Sequence, residues 1–317
     1  MTLYLWLGFL ILVFILLALD LGVFHKKDEA ISTKAALLWT GFWILLSLVF
    51  NVFIYFAYEY HWLGIGLHIG HNVGGSEAAL KYFTGYIIEK SLSLDNIFVI
   101  AMIFAYFRVP DIYQHRVLFW GILGALLMRG IMIAAGAALI ERFDWMIYVF
   151  GGVLIITALK MLLSKNEEIH PDDNPLVKLA RKLYPVTGTY EGHHFFTKLN
   201  GRKAITPLFL VLLVIESTDV IFAVDSIPAI FAITTDPYIV FTSNVFAILG
   251  LRSLYFALAA MMNKFRYLKV SIVVVLIYVG IKMLISELYH IPTLISLGVI
   301  LLILATGIVV SLRRVEK

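Results

Sequence analysis

Runs of 18 or more apolar residues recur along the whole chain, and they constrain its fold more than any other feature. Each run is long enough to cross the hydrocarbon core of a bilayer as an α-helix. Hydrophobic residues make up 61% of the sequence and charged residues only 15%, whereas about a quarter of the residues are charged in an ordinary soluble domain. The sequence therefore predicts an all-α, polytopic membrane protein.

Nine membrane spans can be drawn from these runs, and the basic residues between them predict their orientation. The spans cover residues 3–24, 35–58, 82–107, 117–140, 145–163, 204–232, 238–261, 268–286 and 292–312. If the N-terminus lies outside, the segments on the outer side hold only Lys81 and Arg142, and most of the 25 basic residues fall on the inner side. Basic residues concentrate in cytoplasmic loops. We therefore expect a cytoplasmic (inner) membrane protein with its N-terminus outside and its C-terminus inside.

Two halves of the chain resemble each other at three separate places. The matched segments are "SLDNIFV" (93–99) with "STDVIFA" (217–223), "GILGALLMR" (121–129) with "FAILGLR" (246–252), and "ALKMLL" (158–163) with "GIKMLI" (280–285). Each unit holds three spans, and because three is odd, the second unit must enter the membrane from the opposite side. Such an inverted repeat is an architecture of secondary transporters, whose substrate site lies near the bilayer midplane between the units.

The repeat divides the chain into five segments. Residues 1–81 hold two peripheral spans and an external loop, 82–163 form the first unit, 164–203 a cytoplasmic loop, 204–286 the second unit, and 287–317 the ninth span with the cytoplasmic C-terminus. The cytoplasmic loop has room for one short helix but not for a nucleotide-binding domain, and no glycine-rich phosphate-binding motif occurs. The positive-inside bias accounts for the net charge of +4. We therefore expect neither a nucleotide nor a nucleic acid as partner.

Carboxylates occur inside the apolar runs, where they are costly. Insertion scales assign about 2.5–3.5 kcal/mol to Asp, Lys or Arg at a helix centre, so such residues are functional candidates. The candidates are Glu89, Asp95 and Asn96 in the third span, Glu216, Asp219 and Asp225 in the sixth, and Asn244 in the seventh. Glu216 and Asp219 are three residues apart and share a helix face. Pro228 predicts a helix break near residues 225–228 that would turn Asp225 toward the same site.

The repeat is expected to bring these groups together at the midplane, where five carboxylates cannot all stay ionised without partners. Arg129 and Arg252 would balance part of their charge, and protons or a metal dication the rest. Oxygen donors alone favour a hard divalent ion such as magnesium, calcium or manganese. A purely structural ion-pair network is the alternative. Lys160 and Lys282 lie near helix ends, where long side chains can reach the interface, and Asp20 lies near Lys26, with which it is expected to pair.

At these residues the sequence resembles the TerC family of integral membrane proteins, which belongs to the lysine-exporter superfamily. The resemblance is carried by "LALDLGVFHKK", "TGYIIEKSLSLDNIFV", "HRVLFWGILGALLMR", "ESTDVIFAVDSIPAIFAITTDP", "TSNVFAILGLR" and "YHIPTLISLGV". It implies efflux of manganese(II) through an acidic set that falls here on Glu89, Asp95, Glu216, Asp219 and Asp225. The family name reflects an association with tellurium resistance.

Three functions are compatible with these features. The leading hypothesis is a secondary transporter that exports manganese(II), with protons as the coupling ion and no prosthetic group. The second is a non-transporting membrane scaffold or metal-stress protein whose buried acids are structural. The third is a redox or tellurite-handling enzyme, which the absence of cysteine and of cofactor motifs disfavours. We therefore do not expect an enzyme.

Overall fold

The computed structural model describes residues 2–24, 33–67, 73–143, 145–163, 174–199, 201–259, 268–286, 288–289 and 291–315. These residues form eleven α-helices, a short 3₁₀ turn at Trp62–Gly64 and one antiparallel hairpin. The helices are α1 Thr2–Phe24, α2 Thr33–Glu59, α3 Gly75–Phe107, α4 Asp111–Arg142, α5 Met146–Leu163, α6 Pro175–Leu183, α7 Pro207–Phe231, α8 Pro237–Leu249, α9 Leu251–Ala259, α10 Leu268–Leu284 and α11 Thr293–Val315. The hairpin pairs β1, Phe196–Leu199, with β2, Arg202–Ile205.

The prediction of an all-α, polytopic membrane protein is confirmed. In the described part of the chain, α1, α2, α4, α5, α7 and α11 are long and apolar enough to cross a membrane, and α8 with α9 adds a seventh crossing if the bent pair is one span. The 33 residues of α3 and the 17 residues of α10 lie in two further predicted spans. The count of nine spans stays a prediction. The polar segment between α5 and α7 holds the one short helix expected, α6, and also the hairpin, which the sequence did not suggest.

Proline and capping side chains set where several helices begin. The Asp236 carboxylate accepts hydrogen bonds from the backbone N–H groups of Tyr238 and Ile239 at the start of α8. The Asn174 side chain caps α6 in the same way. A proline follows each of these capping residues at the first helical position, where its missing N–H costs nothing. These local signals explain the two starts without reference to the rest of the fold.

The predicted helix break at residues 225–228 is wrong. The helix α7 runs without interruption from Pro207 to Phe231 and contains Pro228. A proline removes one hydrogen bond to the carbonyl four residues earlier and crowds that carbonyl. The cost is bearable here because only three residues of α7 follow Pro228, so little of the helix has to continue past it.

The interruption instead falls at Gly250, inside the seventh predicted span, where α8 and α9 meet at 41°. A Cβ atom on Gly250 would lie 3.0 Å from the Cβ of Trp43 and 3.1 Å from the Nζ of Lys90, so the close approach requires glycine. The Lys90 ammonium donates to the carbonyl oxygen of Ala247 at 3.1 Å. In a straight helix that carbonyl would accept from residue 251. The lysine therefore satisfies an acceptor that the bend releases.

The helices pack as a two-fold relation between the units would require. The described part of α3 packs against α8 and α7, α4 packs against α7 and α8, and α5 packs against α10. If α3 corresponds to α7 and α4 to α8 with α9, the α3–α8 and α4–α7 contacts are equivalents. The packing thus agrees with the inverted repeat, whose axis stays a prediction.

Two glycines allow the closest of these crossings, between α5 and α10. A Cβ on Gly151 would lie 3.1 Å from the carbonyl oxygen of Gly280, and a Cβ on Gly280 would lie 3.0 Å from that of Gly151 and 2.8 Å from Cγ1 of Ile155. Small residues at such contacts let membrane helices approach each other closely. The pair therefore fixes how near the last helix of one unit comes to the last helix of the other.

We predict that Gly280→Ala lowers the stability of the protein by about 1–3 kcal/mol, because the added methyl group overpacks the crossing. The measurement is the melting temperature in detergent, followed by tryptophan fluorescence. Gly152→Ala is the matched control, since nothing lies within 4 Å of a Cβ at Gly152 and alanine favours a helix over glycine. Equal melting temperatures for the two variants would contradict the close crossing.

Candidate functional site

The centre of the site is the guanidinium of Arg129 on α4, which is 1% exposed. It holds Asp219 in a two-pronged contact, with Nη2 donating to Oδ1 at 3.0 Å and Nε donating to Oδ2 at 3.3 Å. Its Nη1 donates to the Glu89 carboxylate in a buried ion pair. The same nitrogen lies 3.1 Å from Ser226 Oγ and 3.3 Å from Asn244 Oδ1. One cation therefore joins α3, α4, α7 and α8.

A second donor holds Glu89 in place. The Nδ2 of Asn244 donates to Glu89 Oε2 at 3.0 Å, and both residues are fully buried. Because Asn244 also accepts from Arg129, the three side chains close a ring of hydrogen bonds. A charge buried in apolar surroundings is tolerable only when it is paired and its remaining donors and acceptors are satisfied. Two carboxylates share one guanidinium here, so this cluster carries a net negative charge when both acids are ionised.

Glu216 faces the same helix as Asp219, as their spacing predicts. It packs against Gly124 of α4, where an added Cβ would overlap the Glu216 carboxylate. Asp219, one turn further along α7, also faces α4 and pairs there with Arg129. Because Gly124 has no side chain, the Glu216 carboxylate fits between α4 and α7.

Two small cavities meet at Asn96 of α3. The first has a volume of about 30 Å³ and is lined by Asn96, Thr218 and Asp219. The second has about 20 Å³ and is lined by Asp95, Asn96 and Asp225. Both volumes exceed the roughly 10–15 Å³ that a cavity needs in order to hold one water molecule. Each cavity therefore has room for a water molecule or a bare cation.

Two hydroxyl groups lie next to Asp225 at the second cavity. Thr157 of α5 donates to Asp225 Oδ1 at 2.7 Å, and Ser226 lies beside that carboxylate in the cavity lining. Sequence reasoning missed both residues, because threonine and serine are common in membrane helices and only a neighbouring helix reveals their partners. Asp95 is buried, with 7% of its surface exposed, and it lines the same cavity as Asp225.

Arg252 has a partner that the sequence did not suggest. Its Nη2 lies 2.9 Å from Asp20 Oδ1 and donates to the Asp20 carbonyl oxygen at 2.8 Å. Both residues are buried. Lys26, the expected partner of Asp20, lies outside the described residues. Although the repeat relates the two arginines, Arg129 thus pairs with acids of α3 and α7, whereas Arg252 ties α9 to α1.

The predicted acids do not form one five-carboxylate pocket in this structure. Among the described residues, no three acidic or histidine side chains lie close enough together to hold a metal ion. Glu89 and Asp219 gather around Arg129, Glu216 packs beside them on Gly124, and Asp95 and Asp225 line the second cavity. The guanidinium occupies the position between two carboxylates that a bound cation was expected to take.

Comparison with known proteins places the chain in a family. Residues 74–317 match the model of the "Integral membrane protein TerC family". The chain is 52% identical to an uncharacterised membrane protein of Myxococcus xanthus, over 98% of this chain and 92% of the relative. It is 47% identical to Alx of Escherichia coli strain K12, named as a proposed membrane-bound redox modulator, over 97% and 94% of the two chains.

A membrane protein of Rickettsia bellii is 43% identical over 98% of this chain and 97% of the relative. No solved structure matches the chain. The family model covers most of the chain, and these relatives align over nearly their full lengths. The protein is therefore a member of the TerC family of integral membrane proteins.

Proposed function

We propose that this protein is a secondary transporter that exports manganese(II) from the cytoplasm in exchange for protons. The observation that carries the proposal is the set of buried carboxylates on α3 and half-buried carboxylates on α7, which gather at Arg129 and at two small cavities. Acids inside membrane helices are costly and mark ion pathways and proton relays. The names of these relatives specify no transported ion, so the choice of manganese rests on the donor chemistry and on the family resemblance.

The donors around the second cavity suit a hard divalent cation. Asp95 and Asp225 offer carboxylate oxygens, and Asn96 and Ser226 offer neutral oxygens. Carboxylate and carbonyl oxygens are the ligands of magnesium, calcium and manganese. Met161 also lines this cavity and places a polarizable thioether beside the oxygens. That sulfur favours manganese(II), the softest of the three ions.

Arg129 supplies a way to couple metal binding to a change of structure. Its guanidinium neutralises Asp219 and Glu89 in the state described here. A dication that binds Asp219 draws electron density from the same carboxylate oxygens and so weakens this two-pronged contact. Arg129 and the metal therefore compete for one carboxylate, and loading the site loosens the tie between α7 and α4.

The membrane potential makes an inward counter-ion necessary. Moving a dication out of an inside-negative cell costs about 4.6 kcal/mol per 100 mV, since each elementary charge costs about 2.3 kcal/mol. Two protons entering for each metal ion would cancel the charge moved. Carboxylates that bind a metal when ionised and a proton when empty can perform both halves of the exchange. Protonation of Glu216, Asp219 or Asp225 from the outside would thus release the metal there.

The competing possibility is a scaffold whose buried acids serve only stability. The satisfied ring of Arg129, Glu89 and Asn244 favours it, because such networks also occur as purely structural features. The two functions differ in one measurable property. A transporter carries manganese across a sealed bilayer, and a scaffold does not.

We predict that Asp225→Asn and Glu216→Gln each abolish manganese transport, because shape is kept and only a charge is lost. The measurement is manganese entry into proteoliposomes that contain a metal-sensitive dye. Asp111→Asn is the matched control, since Asp111 is an exposed acid at the start of α4. Size-exclusion profile and melting temperature establish that each variant is folded. Wild-type flux in both site variants would remove these residues from the pathway.

We predict that Arg129→Met lowers the stability by about 3–5 kcal/mol, because it leaves buried carboxylates without their cation. Neutralising those acids as well, in the triple variant Arg129→Met, Glu89→Gln, Asp219→Asn, should recover most of the lost stability while transport stays absent. The measurement is the melting temperature of both variants together with the flux assay. A triple variant that transports manganese at the wild-type rate would contradict the role assigned to this cluster.

We predict that manganese entry into proteoliposomes makes their interior more alkaline, because protons leave as the metal enters. A pH-sensitive dye inside the vesicles reports the change, and ionophores that clamp the membrane potential remove electrically driven proton leak. The Glu216→Gln variant should give no pH change on addition of manganese. Manganese transport without any proton movement under the clamp would show that another ion drives the exchange.

A further inference from the structure

A larger cavity with both charged and apolar lining residues lies at the opposite end of α3 from the acidic site. It has a volume of about 180 Å³ and is lined by Glu77 and Lys81 of α3, Lys282 of α10 and Thr293 of α11. Lys81 and Asp95 are separated by about 21 Å along α3, at 1.5 Å per residue. The predicted orientation puts this end of the helices on the outer face of the membrane. The cavity is therefore distinct from the proposed transport site and larger than either of its cavities.

Lys282 is the residue that makes this cavity unusual. Only 8% of its surface is exposed, although it lies near the end of α10. It lines the cavity, and its ammonium has no hydrogen-bond or ion-pair partner among the described residues. A cation on a largely buried side chain without a partner is unfavourable. The arrangement calls for an anion in the space that Lys282 faces.

Among the residues that the structure describes around this cavity, no acid is left to supply that anion. Glu77 already pairs with Lys81, with 2.5 Å between Oε1 and Nζ, and 54% of the Glu77 side chain is exposed to the surroundings. One lysine of the cavity is therefore neutralised on its own helix. The positive charge of Lys282 remains.

The N-terminus of α11 adds a second source of positive potential. This helix of 23 residues begins at Thr293, which lines the cavity. The first backbone N–H groups of a helix have no partner within it, and the helix dipole favours negative charge at that end. Lys282 lies on α10, whereas the helix N-terminus at Thr293 belongs to α11. Two features from different helices therefore lie at the same cavity.

We propose that this cavity binds a phosphate group, either as free inorganic phosphate or as the phosphodiester of an anionic lipid headgroup. Lysine acts as a point charge toward phosphate, and free helix N–H groups are common phosphate donors. The volume of about 180 Å³ accommodates a tetrahedral anion with water around it. Apolar side chains of Ile147, Phe231 and Met283 form another part of the lining, which suits the glycerol part of a lipid.

The test compares the purified full-length protein with variants at the unpaired lysine. Binding of inorganic phosphate is measured in lipid-depleted detergent by the rise in melting temperature at constant ionic strength, because a ligand that binds only the folded state raises it. Binding of phosphatidylglycerol is measured separately by native mass spectrometry. Lys282→Met should weaken binding about tenfold or more, since a charged hydrogen bond is lost. Lys282→Arg should retain it, and Lys198→Met, at an exposed lysine of β1, should behave as wild type.

The two arms identify the source of the phosphate. A Lys282-dependent response to inorganic phosphate assigns the cavity to the free ion, and a response confined to phosphatidylglycerol assigns it to a lipid. If Lys282→Met does not fold, Lys282→Gln takes its place, since it keeps a polar head without the charge. Equal binding of both probes to wild type and to the neutral variant would overturn the proposal, as would the absence of binding to wild type.

Discussion

The contact between one guanidinium and two carboxylates inside apolar helices holds the centre of this protein together. Arg129 is reached from α3 by Glu89, from α7 by Asp219 and from α8 by Asn244. Neither the guanidinium of Arg129 nor its two carboxylate partners could be buried alone, because an unpaired charge in a low-dielectric interior is too costly. Each partner therefore requires the others, and the packing of four helices follows from satisfying a single cation. In a membrane, apolar side chains gain little from meeting one another, so helix association depends on close packing and on polar contacts such as these.

The same contact makes the centre responsive to an ion. A network that is satisfied by an arginine can also be satisfied by a metal and by protons, as long as the total charge is balanced. The ion-sized cavities around Asn96 and Phe222 show where a small cation could lie next to the acids without displacing a helix. A larger rearrangement has two visible points of weakness. One is the bend at Gly250, where Lys90 satisfies a released carbonyl. The other is a single hydrogen bond of 2.6 Å from Asn174 Nδ2 to Ser217 Oγ, which joins the start of α6 to α7 next to Glu216 and which a movement of α7 would have to break.

Sequence reasoning located the acidic residues but misjudged their arrangement. The spacing of Glu216 and Asp219 predicted a shared face, and both do face α4. Pro228 predicted a helix break that does not occur, since α7 ends only three residues later. The break at Gly250 was missed because the residues that crowd it, Trp43 and Lys90, come from other helices. The single five-carboxylate pocket was expected because the internal repeat relates the two acid-bearing spans, with Asp95 matching Asp219, and relates Arg129 to Arg252. The repeat in the sequence did not predict the ion-pair partners of the two arginines, because Arg252 pairs with Asp20 of α1, which lies outside both repeat units.

The sequence by itself determined that the chain crosses a membrane and buries carboxylates there. Both properties follow from local composition, because a run of apolar residues specifies a membrane helix and any acid within it is necessarily buried. Only the tertiary structure decided which acid meets which base. The partners lie 40 residues apart for Arg129 and Glu89, and 155 for Asn244 and Glu89. Contacts across such distances depend on helix rotation and crossing geometry, which are set by the packing of all the helices at once and leave no signal in any one segment.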